Sequence, residues 1–87
     1  MNANPYRVEF HAKGDDEARG LPEPAFVALF ETLVAVSRDP WATSGSEDSM
    51  GDPAFRWVSF DRDLGVVHFV INDESRVIRV HGVTWTG

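Results

Sequence analysis

The chain has 87 residues, is 43% apolar, carries a formal charge of −6 and contains no cysteine. That length holds one domain. The composition is that of a folded chain, and the missing thiols exclude disulfides, thiolate zinc sites and cysteine nucleophiles. No run of about 18 apolar residues is present to span a membrane. The opening MNANPYRVEF lacks the basic-then-apolar pattern of a signal peptide, so a cytoplasmic location is expected.

The charge is unevenly placed. Residues 1–53 carry ten acids against four bases, and residues 54–87 carry four of each. An acidic chain repels free nucleic acid unless a local patch overrides its field. Only the C-terminal part has room for such a patch.

Tyr6 to His11 alternates Tyr6, Val8 and Phe10 against Arg7, Glu9 and His11, which predicts a half-buried strand. The polar stretch Lys13–Gly20 reads as a loop or a short helix, with Asp15 as a cap. Leu21 to Asp39 is the main helix. Pro22 and Pro24 fit its first turn, Glu23 suits its positive end and Arg38 its negative end. Phe26, Leu29, Phe30, Leu33 and Val34 form the expected core stripe, and Pro40 ends the helix. Residues 42–53 read as a loop, long enough to be a binding loop or a mobile surface segment.

Three strands follow as a meander: Ala54–Phe60, Val66–Asn72 and Arg76–Trp85. Gly65 is expected to take a positive φ in the first turn. Gly82 suggests a bulge or a close backbone approach. The fold class is α+β: an antiparallel sheet in the order β-α-β-β-β, with one main amphipathic helix on one face and room for a short helix after the first strand. The expected core face is Tyr6, Val8, Phe10, Phe55, Trp57, Val67, Phe69, Ile71, Ile78 and Val80.

The opposite parity collects Arg7, Glu9, His11, Arg56, Val58, Phe60, His68, Val70, Arg79, His81, Val83 and Trp85. A bulge at Gly82 would leave His81 in place but flip Trp85 relative to it. Three uses fit this face. It is an ordinary solvated surface, a protein-binding surface, or an RNA-cleaving surface. Cleavage by 2′-hydroxyl attack needs a base, an acid and cations on the phosphate. Histidine suits the first two roles and arginine the third. The candidates are His81, Arg79, Arg56 and His68 for chemistry, with Arg7 and Trp85 for nucleic-acid contact, Trp85 by stacking on a base. No local spacing joins His11, His68 and His81 as metal ligands, so no metal and no cofactor is expected.

The strand YRVEF, the Leu-Pro before an amphipathic helix that ends in Asp39-Pro40-Trp41, and the meander with Arg56, GVVHFVIN and RVIRVHGV resemble the RelE/ParE toxins of bacterial toxin–antitoxin pairs. The resemblance covers nearly the whole chain. It implies a small α+β toxin wrapped by an antitoxin. In the nuclease branch it implies metal-independent cleavage of mRNA in the ribosome by basic strand residues and an acid/base group near the C-terminus. The matching positions are Arg56, Arg79 and His81, and the face argument adds His68. The sequence departs from the nuclease pattern in its acidity, its single Lys13, and a sole tyrosine, Tyr6, in place of one after the last strand. A non-catalytic interaction module of the same fold, gyrase-inhibiting like ParE or no longer toxic, is the alternative, and the residues leave open whether the chain is an enzyme.

Overall fold

A computed structural model describes residues 5–46 and 51–87. The elements are β1 (Arg7–Phe10), α1 (Ala12–Arg19), α2 (Glu23–Arg38), α3 (Pro40–Thr43), β2 (Gly45–Ser46), β3 (Phe55–Phe60), β4 (Gly65–Asn72) and β5 (Val77–Trp85). The five strands form one sheet in the order β1-β5-β4-β3-β2. β1 runs parallel to β5, and the other pairs are antiparallel. The class is α+β as expected, with a parallel edge pair and a two-residue β2 that the sequence pattern did not reveal. Within the expected loop at 42–53, α3 reaches Thr43 and β2 follows; residues 47–50 lie outside the described residues.

The short helix after β1 is two turns long. Its N-cap is His11, not Asp15, which sits in the first turn and pairs with Arg19. α1 covers the stretch of β5 that β1 leaves unpaired. The Glu17 carboxylate accepts from the Val83 N–H at 2.8 Å. Gly14 lies so close to the Val80 carbonyl that a Cβ would approach the oxygen to 2.6 Å. The helix thus satisfies a sheet edge that would otherwise expose backbone donors.

α2 begins after Pro22 with Pro24 in its first turn. Asp39 and Pro40 end it and start α3, where the Asp39 side chain accepts from the Ala42 N–H. The buried stripe is Ala25, Leu29, Leu33 and Val36. Phe26, Phe30 and Val34 of the expected stripe are exposed, Phe30 to 62%. They line an apolar groove of about 350 Å3 against Val8 and Phe10 of β1. Ala25 is buried where Phe26 and Phe30 are exposed, so the helix is rotated about its axis relative to the expected stripe.

The core contains Val67, Phe69, Ile71, Ile78 and Val80, as expected, together with Phe60 and Val83. β3 has the opposite parity from the expected one. Arg56 pairs with Phe69 and Val58 with Val67, so Arg56, Val58 and Phe60 face the helices. Phe55 and Trp57 face away. Phe60 pairs with Gly65, and its ring fills the space a Cβ would need there. Gly65 is therefore required for packing, not for a positive φ. The left-handed residues of that turn are Asp61, Arg62 and Asp63.

β5 is bulged. Phe69 faces Val80 while His68 faces Gly82, leaving His81 as the extra residue. The bulge leaves Arg79 and His81 on the open face and turns Val83 and Trp85 toward the helices. Val83 is buried, and Trp85 packs on the core and donates to Asp61 at 2.8 Å. Among the described residues no helix is long and apolar enough to cross a membrane.

Candidate functional site

The open sheet face is organised in rows across the strands. The register sets Glu9 beside Arg79, Arg79 beside Val70, and Val70 beside Phe55. In the next row His11 stacks on His81, the His81–Gly82 bulge faces His68, and His68 faces Trp57. A parallel β1 is what brings His11 into this row. It continues past Phe10 toward α1, and its N–H bonds the Val80 carbonyl at 2.8 Å.

Arg7, Glu9, Arg79 and His81 surround a cleft of about 500 Å3 floored by Val70 and Val77. Glu9 accepts from Arg7 and from Arg79, each at 3.0 Å. The two guanidiniums hold its carboxyl below the usual range, the Arg7 bond contributing most. The ion pairs are exposed and screened, so the arginines are held in place yet open to exchange for another anion.

The His81 ring lies between His11, at 5.1 Å with the planes 16° apart, and Phe55, at 5.9 Å. Burial lowers its pKa from the ordinary 6.5, and the charges of His11 and Arg79 lower it further. These effects favour the neutral imidazole, the form that can accept a proton. The site joins an imidazole whose neutral form is favoured, a second imidazole stacked on it, and two forked cations.

Four of the six expected site residues, Arg7, His68, Arg79 and His81, lie on this face. Arg56 and Trp85 lie on the other. Arg56 donates to the Ser44 hydroxyl at 2.9 Å and to the carbonyls of Ser44 at 2.6 Å and Trp41 at 3.1 Å. Its guanidinium also lies 5.2 Å from the Trp41 ring. It fastens α3 and β2 to β3 and is remote from His81 by the thickness of the sheet. The face also holds Phe55 and Trp57, which alternation places in the core. Both parities of Phe55–Phe60 contain two large apolar residues, so alternation alone does not decide this strand. Phe60 immediately before a glycine-closed turn was the usable signal. Among the described residues no group of three or more histidines and carboxylates is placed to hold a metal ion.

Solved structures of the same shape are available for comparison. The RelBE2 toxin–antitoxin complex of Mycobacterium tuberculosis matches with a TM-score of 0.78 at 20% identity, over 94% of this chain and 99% of that one. The isolated RelE toxin of E. coli matches with a TM-score of 0.77 at 21% identity, over 94% and 85%. The archaeal RelE–RelB complex from Pyrococcus horikoshii matches with a TM-score of 0.69 at 16% identity, over 97% and 98%. No protein-family model and no curated protein matches the sequence. The chain has the fold of the RelE toxins.

Proposed function

We propose that this chain is the toxin of a toxin–antitoxin pair and that its open sheet face cleaves mRNA on the ribosome. The observation that carries the reading is His81, stacked on His11 and lining the same cleft as Arg79. The RelE fold supports it at the level of the whole chain.

In this reading Arg79 and Arg7 fork onto the non-bridging oxygens of a phosphodiester. His81 takes the proton of the 2′-hydroxyl, and the 2′-oxygen attacks phosphorus. The bond from phosphorus to the 5′-oxygen breaks, and His11, stacked on His81, donates a proton to that oxygen. The products are a 2′,3′-cyclic phosphate and a 5′-hydroxyl. His68, one strand away in the same row, is the helper. No metal is required by this chemistry.

The partner inferred for silencing is an antitoxin. The groove of Phe26, Phe30 and Val34 supports this, because it sets exposed phenylalanines of α2 beside edge strand β1, where a partner helix or strand can seat. The solved neighbours include RelE bound to RelB.

The test is induced expression in a bacterial host. Growth arrest by the wild type that a His81→Ala, Arg79→Ala double variant abolishes supports cleavage, and no arrest by either contradicts the toxin reading in that host. A second reading is a non-catalytic module, favoured by Glu9 occupying both arginines. Arrest by wild type and double variant alike selects it, as in gyrase inhibition.

A further inference from the structure

Trp57 is a large aromatic residue on the open face, 39% exposed, in the same cross-strand row as His81 and His68. Its indole packs against Gly45 of β2, where a Cβ would come within 2.9 Å of Nε1. Only glycine permits that contact, so the ring rests on its neighbouring strand without being covered by a side chain. Phe55, two residues earlier on the same face, touches His81 at 5.9 Å. A row of rings therefore runs from His11 on the β1 side to Trp57 on β3. β3 and β5 lie two strand spacings, about 10 Å, apart.

Trp57 on β3 at one end and the forked cations of β1 and β5 at the other match the two parts of a single-stranded nucleic acid. Bases stack on aromatic faces and phosphates pair with arginine. The cleft is lined by Arg7 and Arg79 against one carboxylate, Glu9, on a chain whose net charge is −6; Glu17 and Asp63 stand farther along the face, beside Gly82 and Ser59. We propose that Trp57 is the base-stacking residue of this face, and that single-stranded RNA crosses the sheet with a phosphate at Arg79 and a flanking base on Trp57. This rests on the RNA reading of the cleft. It gives Trp57 the role that Trp85 was expected to fill.

The probe is a 2′-O-methyl single-stranded RNA of about ten nucleotides, which lacks the attacking hydroxyl and so reports binding without cleavage. Its affinity is measured over a salt series for wild type, Trp57→Ala, Trp57→Phe and Arg79→Ala, with thermal unfolding of each as a folding control. The expected result is a loss of about 5- to 100-fold for Trp57→Ala at every salt concentration, with the phenylalanine variant retaining most of the affinity. The slope of log affinity against log salt stays unchanged for both, whereas Arg79→Ala reduces it by about 0.7. Wild-type affinity in Trp57→Ala overturns the proposal, as does an altered salt slope in that variant. Failure of the wild type to bind the RNA at low salt also overturns it. The toxin reading is judged separately, by the growth test, and survives any of these results if arrest depends on His81 and Arg79.

Discussion

Glu9 and Arg79 stand directly opposite each other across the parallel β1–β5 pair, and their side chains meet at 3.0 Å. The same carboxylate holds Arg7 at 3.0 Å. One acid thus pre-aligns two guanidiniums at the edge of the cleft and also competes with any anion that approaches them. Replacing Glu9 by Gln is expected to raise affinity for single-stranded RNA about two- to fivefold at low salt, with the gain shrinking as salt screens the charge. Filter binding at low and high ionic strength checks this.

His81 should titrate below the ordinary histidine value of 6.5, since burial, His11 and Arg79 all lower its pKa. Below pH 6.5 the unfolded chain binds the proton first. His81 therefore contributes stability that is present above pH 6.5 and is lost as pH falls toward the folded-state value. Cleavage should rise with pH through that same folded-state value, as the base loses its proton. A proton NMR titration of His81 gives the midpoint directly. Replacing Arg79 by Ala should move it upward, because one of the opposing charges is gone.

Arg56→Ala is expected to lower stability by about 1–3 kcal/mol, the range for losing charge-assisted hydrogen bonds, because it frees the carbonyls of Trp41 and Ser44. The chemistry of cleavage should persist in the folded fraction. Thermal unfolding alongside a cleavage assay on the same preparation separates the two effects.

Phe30→Ser should change monomer stability by no more than about 0.5 kcal/mol, as expected for an exposed site; its side chain is 62% exposed. Partner capture should suffer far more. Isothermal titration with the antitoxin proposed above as partner, and suppression of growth arrest by it in cells, are the measurements.

The sequence was informative where a pattern had one solution. β4 alternates cleanly over Val67, Phe69 and Ile71, and its core face was legible. α2 was legible as a helix because its prolines and Asp39 bound it. Its rotation was not: Phe26 and Phe30 share the apolar arc with Leu29 and Leu33, and hydrophobicity alone does not rank them. β3 failed for a related reason, since Phe55 and Trp57 compete with Val58 and Phe60 for the same face. Arg56 was misplaced with that strand. The bulge was signalled by Gly82, and its consequence for Trp85 followed from counting residues. The parallel pairing of β1 with β5 has no local signature. It alone brings Glu9 to Arg79 and His11 to His81, so Arg79 and His81 are legible in the strand pattern while their partners are visible only in the fold.

The most direct test is to map the ends of mRNA cut in a bacterial translation extract supplied with the purified chain. The account predicts new 5′-hydroxyl ends on ribosome-bound message, matched by 2′,3′-cyclic phosphates. His81→Ala should lower their rate of formation by about 100-fold or more. Message left intact by the folded wild type, or cut equally well by His81→Ala, would contradict it.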